Sequence, residues 1–89
     1  MDYLDKLRKE IDDIDSEILN LLAKRTDTVR KIGRLKREHH LEPLDEKRWK
    51  EVLESRLSLA YSLNLSSDFI KKIYDLIHEN SLAVENESK

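Results

Sequence analysis

The sequence predicts an all-α protein: three helices per chain, the first very long, assembled as a homodimeric helical bundle. Three observations predict it. One Gly and one Pro in 89 residues leave almost no breakers, which favours long helices over a turn-rich β fold. Apolar residues recur at spacings of three and four through Leu4, Leu7, Ile11, Ile14, Ile18 and Leu21, then again at Ile32 and Leu35. That is a heptad seam, the pattern of helices that bury a narrow stripe against another helix. The third observation is size. The stretch from Leu4 to Arg37 makes a rod of roughly 50 Å, whereas a compact chain of this length is about 30 Å across. Two shorter helices cannot cover the whole stripe, so a second copy is expected to cover the rest, most simply about a two-fold axis.

Helix 1 is expected to begin near Asp2, an acceptable N-cap, with Asp5 in the first turn favouring the dipole. Acidic Asp12, Asp13, Asp15 and Glu17 lie mostly off the seam, and Lys31, Arg34, Lys36 and Arg37 crowd the C-terminal end. Gly33 inside the helix costs up to ~1 kcal/mol relative to Ala. Close helix packing is the favoured reason, ahead of backbone room for a ligand. Arg25 and Thr28 occupy seam positions. A guanidinium on a buried stripe is costly unless an anion meets it.

Pro43 ends the first helical stretch after His39, His40, Leu41 and Glu42, because the residue before a proline is biased away from the helical region. Asp45 then caps helix 2, which is expected to run to about Leu63 with Trp49, Val52, Leu53, Leu57, Ala60 and Tyr61 as its apolar positions, and Asn64 ends it. Ser66 or Ser67 caps helix 3, which carries Phe69, Ile70, Ile73, Tyr74, Leu76, Ile77, Leu82 and Val84. The polar tail from Glu85 to Lys89 is expected to fray. Residues 1–89 are read as a single domain.

Several function classes are disfavoured. A net charge of −2, from 17 basic and 19 acidic residues, gives no electrostatic case for nucleic acid or an acidic membrane. Cysteine is absent, which removes disulfide and thiolate chemistry and fits a cytoplasmic protein. The charged N-terminus does not read as a signal peptide, and no apolar run approaches the ~20 residues of a membrane span. His39, His40 and His78 lack the spacing and carboxylate partners of a metal site, so no metal is expected.

The basic residues are more informative. Arg25 and Lys36 stand eleven residues apart, close to three helical turns, so both project in nearly the same direction, roughly 16 Å apart along the axis. Leaning together, they could grip a small anion lying on the helix. Arg8 lies about 25 Å from Arg25 along the axis, beyond reach of the same ligand within one chain. In an antiparallel dimer it could complete the partner's site. Asp45, Arg48 and Trp49 share the first turn of helix 2. Taken alone they read as a cap, a surface pair and a core tryptophan. Ser81 and Glu85 share a face of helix 3, and alone they read as a solvated pair.

Taken together, Leu7-Arg8-Lys9-Glu10-Ile11-Asp12 with Ile14-Asp15, Leu21-Leu22-Ala23-Lys24-Arg25, Ile32-Gly33-Arg34-Leu35-Lys36 and Asp45-Glu46-Lys47-Arg48 resemble the all-helical chorismate mutase family. The resemblance covers nearly the whole chain, from Leu4 to about Glu85. It implies an intertwined dimer of three-helix chains that converts chorismate to prephenate, an intramolecular pericyclic step towards phenylalanine and tyrosine needing no cofactor. It implies that Arg25, with Arg8 from the partner, binds substrate carboxylates, and that Lys36 meets the ether oxygen and a carboxylate. Asp45 matches a position near the ring hydroxyl, Arg48 a supporting arginine, Ser81 a carboxylate contact and Glu85 a second donor to the ether oxygen. A glutamate donates only when protonated. Trp49 departs from the family, which commonly carries a glutamate there that accepts from the ring hydroxyl; indole N–H cannot accept. An isochorismate–pyruvate lyase of the same fold and a non-enzymatic helical dimer remain as alternatives.

Overall fold

In the computed structural model, which describes residues 1–87, the chain forms three helices: α1 Asp2–Glu38, α2 Glu46–Ser62 and α3 Ser67–Glu87. Helix α1 alone has 37 residues. The chain measures 57 × 26 × 15 Å with a radius of gyration of 16.5 Å, against about 12 Å for a compact chain of this length. Helix α3 is the centre: it packs against α1 on one side and α2 on the other, and among the described residues α1 and α2 do not pack on each other.

The helix ends follow the local chemistry. The first helical residue of α1 is Asp2, with Met1 at the N-cap and no side-chain cap, so Asp2 contributes charge to the first turn rather than a cap. Asp45 caps α2 by accepting from the Arg48 backbone N–H at 3.0 Å. Ser66 rather than Ser67 caps α3, its Oγ accepting from Phe69 N at 3.3 Å. Both α1 and α2 end in the same C-terminal motif. His40 and Asn64 adopt left-handed φ values of 57° and 60°. Around them Leu41 N donates to Lys36 O and His40 N to Arg37 O, while Leu65 N donates to Ala60 O and Asn64 N to Tyr61 O. These pairs are the six-to-one and five-to-two bonds of a Schellman motif, which usually places Gly at that residue.

The core is small. Val29, Val52, Ala60 and Val84 are the buried apolar side chains, and no large side chain is fully buried among the described residues. Every residue from Met1 to Lys24 is exposed, including the seam residues Leu7 at 41%, Ile11 at 56% and Ile14 at 49%. The heptad stripe is thus uncovered within one chain, and α1 meets α3 through a different face, Val29, Gly33 and Arg37. Gly33 confirms the packing reading: a Cβ there would stand 3.0 Å from Glu85 Cα and 3.2 Å from Glu85 O. Tyr61, Phe69 and Leu76, expected on apolar faces, are exposed. The chain from Glu85 to Glu87 is helical and Glu85 is buried, because Arg37 donates to its carbonyl at 2.7 Å. The fraying expected there is therefore corrected as far as Glu87; Ser88 and Lys89 lie outside the described residues.

Candidate active site

The crease between the three helices holds a cavity of about 310 Å³, at the small end of ligand pockets. Its walls include six residues singled out in the sequence for chemistry, Arg25, Lys36, Asp45, Arg48, Ser81 and Glu85, together with Trp49. Arg8 is exposed and lies outside it.

Helix α1 supplies Arg25 and Lys36. Arg25 is half-buried rather than enclosed on a seam, and its Nη1 donates to Ser81 Oγ at 2.7 Å. A hydroxyl, not an anion, is its partner within the chain. Lys36 Nζ donates to the Pro43 carbonyl at 2.5 Å, tying the α1–α2 connection to the site. It also stands 2.9 Å from Glu85 Oε1, where the side chains are 21% and 9% exposed. That contact is one of charge. Its angles do not make a hydrogen bond, and Glu85 Oε1 stays buried without an aligned donor.

The start of α2 supplies Asp45, its N-cap, with Arg48 and Trp49 from the first turn. Asp45 spends one carboxylate oxygen on its cap. Trp49 does not enter a core. It stacks on His78 of α3, with ring centroids 3.9 Å apart and planes 10° from parallel. Arg56 also lines the cavity, and its guanidinium carbon lies 6.0 Å from the centre of the Tyr74 ring, at the limit of a cation–π contact.

The wall carries four permanent cations, Arg25, Lys36, Arg48 and Arg56, against two carboxylates, Asp45 and Glu85. Four minus two leaves an excess of two positive charges, an arrangement that favours a dianion in a partly dehydrated crease. No group of three or more His, Cys, Asp or Glu among the described residues could hold a metal ion.

His78 and Arg56 were not singled out as site residues. Their spacing carried a signal nonetheless: His78, Ser81 and Glu85 fall at intervals of three and four, as do Asp45, Arg48 or Trp49, Val52 and Arg56.

Residues 7–86 match the family described as chorismate mutase type II. The chain belongs to that family. Among curated relatives of this chorismate mutase type II domain, the bifunctional chorismate mutase/prephenate dehydratase of Buchnera aphidicola subsp. Acyrthosiphon pisum is 37% identical over 78 residues, covering 88% of this chain and 20% of the relative. The T-protein of Haemophilus influenzae is 33% identical over 87 residues, covering 98% and 23%. The bifunctional chorismate mutase/prephenate dehydratase of Aquifex aeolicus is 35% identical over 92 residues, covering 100% and 25%. The type II domain described here thus spans 20% to 25% of the length of these relatives.

Proposed function

We propose that residues 1–89 form one helical domain that rearranges chorismate to prephenate, and that it works as an intertwined homodimer in the cytoplasm. The observation that carries the reading is the cavity wall, where Arg25, Lys36, Arg48, Ser81 and Glu85 converge around a space with a two-charge cationic excess.

The chemistry asks little of the protein beyond shape and charge. Chorismate is a dicarboxylate with a ring hydroxyl. Its enolpyruvyl arm must fold over the ring, and negative charge builds on the ether oxygen as the C–O bond breaks. Holding the compact conformer removes the entropic part of the barrier. Donors already aimed at the ether oxygen stabilise the transition state more than the ground state. In this reading Arg25, steadied by Ser81, grips one carboxylate through a forked guanidinium. Arg8 of the partner subunit closes on the other. Lys36 and Glu85 flank the ether oxygen as its two contacts, with Lys36 donating. Arg48 supports the site from α2, and Asp45 lies towards the ring.

The dimer rests on α1. Leu4, Leu7, Ile11, Ile14, Ile18 and Leu21 are 38% to 62% exposed along one stripe. Full burial of such a side chain is worth ~1.5–3 kcal/mol, so covering the exposed halves contributes roughly 1 kcal/mol each. An antiparallel second copy offers the same stripe. The absence of cysteine fits a reducing compartment.

The test is loss of chorismate absorbance with prephenate identified as product, repeated with isochorismate. Prephenate from chorismate supports the reading. Pyruvate release from isochorismate alone would replace it with a lyase, and no turnover of either would replace it with a non-enzymatic dimer. Mixing an Arg8→Ala chain with an Arg25→Ala chain tests site sharing. Mixed dimers should regain activity that neither variant has alone.

A further inference from the structure

We infer that His78, held face to face against Trp49, is the residue that recognises the ring hydroxyl of the substrate. The inference rests on the chorismate reading above and deepens it.

The substrate brings two carboxylates and one hydroxyl to the cavity. The carboxylates are matched by cations. The hydroxyl needs a partner that can accept its proton, and the cavity has few acceptors to spare. Asp45 has one carboxylate oxygen held on the α2 cap by Arg48 N, which leaves its other oxygen as the acceptor competing with His78. Glu85 is drawn to Lys36 at 2.9 Å. The Ser81 hydroxyl already accepts a hydrogen bond from Arg25 at 2.7 Å. Trp49 offers only an indole N–H, and Arg25, Lys36, Arg48 and Arg56 only donate. His78 lines the same cavity, and among the described residues no hydrogen bond or ion pair engages its ring nitrogens. A neutral imidazole presents one acceptor and one donor nitrogen, which suits a hydroxyl.

Trp49 supplies what a lone histidine on a helix lacks, a fixed orientation. Centroids at 3.9 Å and planes 10° apart hold the imidazole parallel to the indole, so its ring edge turns in a plane set by α2 although its backbone belongs to α3. Trp49 is thus a positioning residue for His78, and the stack bridges the two helices that frame one wall of the cavity. The pair places the accepting group on α3 and its platform on α2.

The experiment compares chorismate with its analogue lacking the ring hydroxyl, using kcat/KM for each. The ratio of the two in one variant is divided by the ratio in the wild type, which cancels the intrinsic reactivity of the two compounds. The His78→Leu variant should lose most of the wild-type preference, a change of about tenfold, mainly through KM for chorismate. The Trp49→Ala variant should lose it too, and Trp49→Phe, which keeps an aromatic platform, should restore it. Trp49 is the single tryptophan, so altered emission in His78→Leu reports loss of the stack directly. An unchanged hydroxyl preference in His78→Leu, or its loss in Asp45→Asn alone, overturns this inference while leaving the mutase reading intact. A wild-type domain that neither binds nor converts chorismate overturns both.

Discussion

Gly33→Ala is the sharpest test of how closely the fold and the proposed chemistry are joined. The added Cβ would meet Glu85 Cα at 3.0 Å, Glu85 O at 3.2 Å and Arg37 Nη1 at 3.4 Å. Non-bonded carbons settle at about 3.5–4.0 Å, so α3 must retreat by roughly 0.5–1 Å at this point. The first two contacts are backbone, and no rotamer change can relieve them. Overpacking of this kind costs about 1–3 kcal/mol, while alanine returns up to ~1 kcal/mol of helix propensity. The net loss of stability is about 0–3 kcal/mol. Activity should suffer more. The same retreat carries the Glu85 carboxylate away from Lys36, and a misplacement of 1 Å can cost about a hundredfold in rate. The expected result is a kcat lowered by about ten- to a hundredfold, with helical content retained in circular dichroism and a modest drop in the urea midpoint. An unchanged kcat in a folded Gly33→Ala variant would refute the argument that Gly33 sets the position of Glu85.

Other perturbations reach different parts of the same design. Ile14→Asp places a charge on the exposed stripe, where Ile14 is 49% exposed; sedimentation should show a monomer and the mutase assay no activity. Arg25→Lys keeps the charge and removes the forked donor, so KM for chorismate should rise about tenfold with the fold unchanged. Glu85→Gln keeps the shape and supplies an N–H donor at the ether oxygen, so kcat should be retained, whereas Glu85→Leu should lower it about tenfold or more; equal rates in the two variants would remove Glu85 from that role. His40→Gly relieves a left-handed residue with φ 57° and should raise the urea midpoint by the equivalent of up to about 1 kcal/mol, with kcat unchanged.

The helices were legible because their signals are local. Breakers are rare, Asp45 is a capping residue followed by a helical run, and Asn64 is one of the few non-glycine residues that tolerate the left-handed region. His40 was not identified as the stop of α1, since nothing in its neighbours marks histidine for that conformation. Most of the cavity wall was legible for a related reason: residues spaced by three, four or eleven on one helix must share a side. What the spacing could not give is the angle at which two helices meet. Burial of Arg25 was expected from the heptad stripe, yet α3 docks on a face turned away from that stripe. The Trp49–His78 stack depends on the same angle, because its two rings come from different helices. Glu85 looked like the start of a frayed tail because its burial comes from Arg37 and Gly33, some fifty residues earlier in the chain.

That angle also links assembly to the site. At about 100° per residue, Val29 and Gly33 point roughly 110° away from Ile32 and Leu35 around α1. One side carries α3; the other remains exposed, with Ile32 at 43% and Leu35 at 55%. Arg25 and Lys36 fall between the two. They therefore lie in a crease with α3 as one wall, and the apolar stripe beside its other edge. If a second copy covers that stripe, it becomes the missing wall and brings Arg8 with it. Catalysis and dimerisation are then inseparable in this fold, although the α2–α3 pair is not. The stack of Trp49 on His78 is made within one chain, so a variant held monomeric by Ile14→Asp should keep its tryptophan emission while losing its activity. Loss of both signals together would mean that the second copy supports the α2–α3 pair as well as completing the cavity.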